Sequence, residues 1–163
     1  MLVVALQQAP GAGVVADYPG DGFAFIGYQA LIGEGAAEQI NGLLGFDLHG
    51  KTIGVVGTGG IGRNVIRAFS GFGCEILAFD PFPNDEAVAL GARYVDKQEL
   101  LEKSEILTLH CPLTPETRHF IDEDAIASMK RCRMLVNTSR GGVVDTLAVI
   151  EGLKSGRIGA LAL

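Results

Sequence analysis

Residues 52–80 read TIGVVGTGGIGRNVIRAFSGFGCEILAFD: an apolar β-branched run, the glycine pattern Gly57-Thr58-Gly59-Gly60-Ile61-Gly62, an amphipathic segment, a second apolar run and a closing acid, Asp80. A bare G-x-G-x-x-G arises by chance in any glycine-rich chain. The weight lies in its context, a strand before, a helix after and an acidic residue about 20 positions on. A strand that passes through a tight turn into a helix and returns as a second strand builds a parallel sheet with helices packed on it.

Each part of the pattern has a mechanical reason. Gly57 lets the strand turn sharply into the loop, Gly59 lets the backbone approach a pyrophosphate, and Gly62 lets the helix pack closely on the strand. Phosphates then sit at the helix N-terminus, where unpaired N–H groups and the positive end of the dipole favour an anion. Asp80 closes the second strand, where its carboxylate can accept hydrogen bonds from both hydroxyls of a ribose and repel a 2′-phosphate. NAD is therefore favoured over NADP.

A chain of 163 residues fits one domain and can bury about 70% of its unfolded surface without disulfides or metal. Cys74, Cys111 and Cys132 form no C-x-x-C pair and are odd in number, which points to a reducing, cytoplasmic compartment and away from a zinc site. A net charge of −6, with no basic run, argues against a nucleic-acid surface. The charge is unevenly spread. Residues 1–50 hold no Lys or Arg but five acids, Asp17, Asp21, Glu34, Glu38 and Asp47. The opening MLVVALQQAPGAG is apolar for far less than the ~18 residues of a membrane span and has no positive flank, so neither anchor nor signal peptide is expected. Residues 1–45 are expected to be a weakly structured Gly/Ala-rich lead-in, with a short helix over 34–44, and residues 46–163 a cofactor-binding domain.

From Lys51 onward short β-branched runs alternate with helical segments, which predicts an α/β doubly wound parallel sheet covered on both faces. Six strands are expected, over 52–56, 75–79, 92–95, 106–110, 134–137 and 158–163. In the helix after the glycine loop, Ile61, Val65, Phe69 and Phe72 form an apolar face turned to the sheet. A helix opening at Asp122 has Glu123 and Asp124 in its first turn and Lys130 and Arg131 at its end, matching the macrodipole. The last helix opens at an N-cap Asp145, buries Leu147, Ile150 and Leu153, and stops at Gly156.

Two further strand ends carry unusual residues, LTLHCPLTPETRHF at 107–120 and MLVNTSRGGVVD at 134–145. Together with GKTIGVVGTGGIG at 50–62 and LAFDPFP at 77–83, they resemble the D-2-hydroxyacid dehydrogenases, and the pairing of FDPFP with HCPLTP is most similar to the fermentative D-lactate dehydrogenase branch. The resemblance covers about residues 45–163 and rests on four motifs in order. It implies a Rossmann-like NAD-binding domain in which Gly60 and Ile61 contact the pyrophosphate by backbone, Asp80 the adenosine ribose, Cys111 and Pro112 the adenine side, and Thr138 the nicotinamide half. Thr117 stands where that branch often has Asn, and a cofactor contact is expected there too. Arg140 matches the family's catalytic arginine; its rigid fork suits paired hydrogen bonds to a 2-oxo-acid carboxylate, a geometry lysine lacks. His110 and His119 are expected to be structural or solvent-facing, since the family's proton donor lies in a later segment.

The same resemblance implies that a histidine, its glutamate partner and an aspartate near the carboxamide follow the sixth strand, and that a substrate domain is built from both flanks. The 163 residues contain none of these, so an isolated chain with a cofactor cradle and little or no turnover is expected, either a fragment of a longer protein or an incomplete gene product. Two classes follow: an oxidoreductase acting between NAD(H) and a D-2-hydroxy or 2-oxo acid, with D-lactate and pyruvate foremost, and alternatively a non-catalytic NAD-responsive binding module, as in relatives that act as corepressors. A methyltransferase on a similar glycine loop leaves NTSRGG unexplained. The family also implies a homodimer through the cofactor domain, while charge, apolar length and cysteine pattern point to no nucleic-acid, membrane or metal partner.

Overall fold

The computed structural model describes residues 4–6 and 46–163. The chain order is β1 (Val4–Leu6), β2 (Thr52–Val56), α1 (Gly60–Ser70), β3 (Glu75–Phe79), α2 (Asp85–Ala89), β4 (Ala92–Tyr94), α3 (Lys97–Lys103), β5 (Ile106–Leu109), α4 (Glu123–Ser128), β6 (Met134–Asn137), a 3₁₀ turn (Gly141–Val143), α5 (Thr146–Lys154) and β7 (Ala160–Ala162). The strands form one sheet in the order β1-β7-β6-β5-β2-β3-β4. β2 to β7 run parallel, and β1 joins β7 antiparallel with Val4 opposite Ala162. β2 to β4 step one way across the sheet and β5 to β7 the other, so the order reverses between β2 and β5.

The six expected parallel strands are all present, β2, β3 and β6 with the expected bounds and β4, β5 and β7 shortened. Val95 still bonds Ala78 O at 3.0 Å but then turns into the cap of α3, and the Ile158 N–H turns back to Gly152 O at 3.1 Å instead of entering the ladder. β1 falls within the stretch expected to be weakly structured: its apolar run pairs along the outer edge of β7, an edge that otherwise offers unpaired backbone groups. The helix expected over 34–44 lies outside the described residues.

Alternating strand residues feed two cores. Val56, Leu77, Leu107, Leu109 and Leu135 pack on the face with Leu100 and Leu101 of α3, Ile126 of α4 and Val149 of α5. Ile53, Val55, Ile76, Ala78 and Ile106 pack on the face with Ile66 of α1 and Ala87 of α2. Period-two alternation with apolar residues on both faces is what a sheet covered on both sides demands.

Three helix readings need correction. α1 buries Gly62 and Ile66, with Val65 and Phe69 packed at the margin, while Ile61 and Phe72 are 67% and 57% exposed. The buried stripe is centred one residue later because Ile61 sits in the open first turn and Phe72 lies past the helix end. α5 leaves Leu147 75% exposed in its first turn and buries Val149 and Gly152; Ile150 is half-buried. α4 stops at Ser128, so Lys130 lies outside it and pairs with Glu102 at 2.8 Å rather than with the helix end.

Candidate functional site

The carboxyl ends of β2, β3, β5 and β6 carry the glycine loop, Asp80, the His110–Cys111 pair and the Thr138–Arg140 loop, gathering the four motifs on one edge of the sheet. Its centre is the point where strand order reverses, the place where open α/β sheets leave a crevice for ligands. Two backbone bonds seal the strand ends there, Gly57 N to Phe79 O at 2.9 Å and His110 N to Val56 O at 2.7 Å.

The glycine loop is shaped by close approach. Gly57 has φ +89, and a Cβ on it would lie 2.8 Å from both Cys111 N and His110 C, so the β2 and β5 loops touch only because no side chain intervenes. A Cβ on Gly62 would collide with Gly57 O, which fixes how near α1 comes to β2. Gly59 and Gly60 face open space. Gly59 is the N-cap of α1, with no side-chain cap and no acidic residue in the first turn, so the leading N–H groups are left for an external anion.

Asp80 is held firmly. Its Oδ2 accepts from Thr58 N at 2.7 Å and Thr58 Oγ1 at 3.1 Å, and its Oδ1 accepts from Phe82 N at 2.9 Å. Thr58, only 2% exposed, also receives a hydrogen bond from Tyr94 Oη at 2.7 Å. Neither Thr58 nor Tyr94 stood out in the sequence. A threonine inside G-x-G is a free position of the pattern, and only the fold brings β4 beside the loop.

On the other side of the crevice His110 bridges two strands: Thr108 Oγ1 lies 2.9 Å from Nε2, and Thr138 Oγ1 lies 3.1 Å from Nδ1. Burial pushes the imidazole below its ordinary value, keeping it neutral. Burial likewise raises the Cys111 thiol, with the Asp80 charge adding to the effect. Pro112 is exposed beside it, and the Thr117 hydroxyl is spent inside its own loop, donating to Pro112 O at 2.6 Å and accepting from Thr114 N at 2.7 Å. His119, exposed, has φ 51 and lies 3.6 Å from Asp145.

Arg140 is exposed and makes no ion pair among the described residues; its guanidinium touches only Ser139 O, at 3.3 Å. The loop beneath it is organised by the buried Asn137, which accepts from Ser139 N and Oγ at 3.0 and 2.8 Å and donates to Arg140 O at 3.0 Å. In the sequence Asn137 is marked only as a strand end. Ile61, Phe82 and Leu113, 67%, 81% and 43% exposed, add apolar surface to the loops at this edge. Among the described residues no group of His, Cys, Asp and Glu could hold a metal, and no helix is long and apolar enough to cross a membrane.

A doubly wound sheet with open amides at the first helix and an acid at the end of the neighbouring strand defines a dinucleotide-binding domain. Residues 25–163 match the family model described as D-isomer specific 2-hydroxyacid dehydrogenase, NAD binding domain. The chain is 53% identical over 126 residues to 2-hydroxyacid dehydrogenase homolog 1 of Schizosaccharomyces pombe, covering 77% of this chain and 38% of that protein. It resembles the solved structure of Salmonella D-lactate dehydrogenase with a TM-score of 0.72 and 51% identity, over 74% of this chain and 36% of that one. It also resembles the Aquifex aeolicus D-lactate dehydrogenase complexed with NAD and lactic acid, with a TM-score of 0.71 and 34% identity, over 77% and 40% of the two chains. The chain belongs to the D-isomer specific 2-hydroxyacid dehydrogenase family, through its NAD-binding domain, and spans little more than a third of the length of these relatives.

Proposed function

We propose that this chain is the cofactor-holding part of an oxidoreductase that interconverts a D-2-hydroxy acid and its 2-oxo acid, D-lactate and pyruvate foremost. The observation that carries the reading is the exposed Arg140 on the edge that holds the glycine loop and Asp80. The residues fit NAD: the open amides of α1 with Gly59, Gly60 and Ile61 take the pyrophosphate, and Asp80 the adenosine ribose. Cys111 and Pro112 border the adenine side, and Thr138 the nicotinamide half, with Thr117 bracing the loop between them. Bound NAD supplies the hydride acceptor, and NADH the donor. Arg140 then grips the carboxylate of the acid through its two-pronged fork and polarises the adjacent carbonyl oxygen.

The fork of Arg140 has no use in a module that only senses NAD, which favours the enzyme over the binding-module reading. The 163 residues alone bind cofactor and turn over 2-oxo acid little or not at all, since proton transfer and substrate closure each supply large factors. Three unpaired cysteines support a reducing, cytoplasmic setting. Pairing of two copies through this domain rests on the family resemblance, and sedimentation checks it.

The test of the cradle is calorimetry with NAD and NADP on the parent chain and on Asp80→Ala. The parent binds NAD more tightly, and Asp80→Ala weakens NAD and narrows the difference. Equal binding of NAD and NADP by the parent overturns the role of Asp80.

A further inference from the structure

We propose that Tyr94 is a positioning residue for cofactor choice: acting through Thr58, it holds the Asp80 carboxylate in the orientation that separates a free ribose from a 2′-phosphorylated one. The inference rests on the reading that Asp80 receives the adenosine ribose. Its basis is a single file of hydrogen bonds linking four elements. Asn84 N donates to Tyr94 Oη at 2.9 Å, Tyr94 Oη to Thr58 Oγ1 at 2.7 Å, and Thr58 Oγ1 to Asp80 Oδ2 at 3.1 Å.

The direction of this file is forced. The backbone N–H of Asn84 can only donate, so Tyr94 Oη accepts there and its own proton goes to Thr58. A carboxylate can only accept, so the Thr58 proton goes to Asp80 Oδ2 and Thr58 accepts from Tyr94. Hydrogen bonds aligned in one sense strengthen one another. With Thr58 N on Oδ2 and Phe82 N on Oδ1, three protein donors pin both oxygens of Asp80. A carboxylate has about four acceptor positions, so one, on Oδ1, remains for a ribose hydroxyl.

Asn84 itself is anchored, because it caps α2 by accepting from Glu86 N and Ala87 N. The far end of the file is therefore tied to a helix start and the near end to the glycine loop. Without the Tyr94 hydroxyl, Thr58 loses the partner that sets its rotamer and the carboxylate loses a fixed donor. A loosened carboxylate bonds the ribose of NAD less well and repels a 2′-phosphate less directly.

Nicotinamide fluorescence titrations of the 163-residue chain with NADH and NADPH test this on the parent, Tyr94→Phe, Thr58→Val and Thr58→Ser. The expected result is a fall of about three- to tenfold in NADH affinity for Tyr94→Phe, the size of one lost hydrogen bond, with a smaller change for NADPH. The preference ratio then narrows in Tyr94→Phe and at least as far in Thr58→Val, and returns to the parent value in Thr58→Ser, which keeps the hydroxyl. Should Thr58→Val fail to fold, Tyr94→Phe and Thr58→Ser carry the comparison. A parent that prefers NADH together with an unchanged ratio in Tyr94→Phe overturns the relay, even where the melting temperature drops, because that is the signature of a merely structural tyrosine. A parent with no preference for NADH overturns the Asp80 reading itself and the relay with it.

Discussion

Gly59 and Gly62 share a motif and do opposite work. A methyl group on Gly62 runs into Gly57 O, and Gly57 cannot retreat because its own backbone abuts His110 and Cys111. Gly62→Ala is therefore expected to cost about 1–3 kcal/mol, the usual range for forcing a methyl into packed space, read as a lower urea midpoint. A methyl on Gly59 meets nothing within 4 Å, and the residue has φ −64, which alanine adopts freely. Gly59→Ala should cost less than Gly62→Ala, about 0.5–1 kcal/mol for alanine at an N-cap, while losing NAD affinity, since the methyl occupies the space a pyrophosphate needs. Equal stability losses in the two variants would remove the distinction between packing glycine and ligand glycine.

At the scale of elements, His110 ties the ends of β5 and β6 by its contacts with Thr108 and Thr138. Its folded-state pKa lies below the ordinary imidazole value of about 6.5 because the ring is buried. As pH falls through 6.5 the unfolded chain takes up a proton before the folded one does, so stability that is complete above about 6.5 is lost as pH drops toward the lowered folded value. Urea unfolding at pH 7.5 and pH 5.5 should show a larger loss in the parent than in His110→Gln; an equal loss would mean the ring carries no such linkage. The strands and their order of appearance were legible because short apolar runs recur between helical segments, as a sheet covered on both faces requires. The caps Asp122 and Asp145 were legible as well, since each accepts from the amides of its own first turn. Helix phase was not. The burial of Ile61, Phe72 and Leu147 depends on where each helix ends and which turn faces the site, and periodicity alone places those boundaries only to within a residue or two. Thr58, Tyr94 and Asn137 were invisible for a different reason: their partners come from other elements or from a turn whose shape the motif does not state.

Across the whole molecule the two faces of the sheet differ in what can reach them, and the cysteines sample that difference. Cys132 is buried in the core with α4 and α5, its thiol pushed up to about 12 by burial. Cys111 is buried at the end of β5 beside the strand crossover with its thiol also raised, and Cys74 is half-buried on the opposite face, donating to Leu48 O at 3.2 Å. Thiolates rather than thiols react with alkylating reagents, so none of the three should label readily in the folded chain, and all three should in urea. The order among them is informative. Cys132 should react only as fast as the chain opens globally, so its rate should track the equilibrium stability measured by urea. Cys111 needs only a local opening of the β5 loop beside Gly57, so it should label faster than Cys132 without cofactor. NAD closing over that loop should slow Cys111 beyond any change at Cys132. Iodoacetamide labelling followed by peptide mass spectrometry, with and without NAD, measures all three rates in one sample. Protection of Cys132 and Cys111 by the same factor would mean that the cofactor acts only through global stability, and that the crevice at the strand crossover is not where it binds.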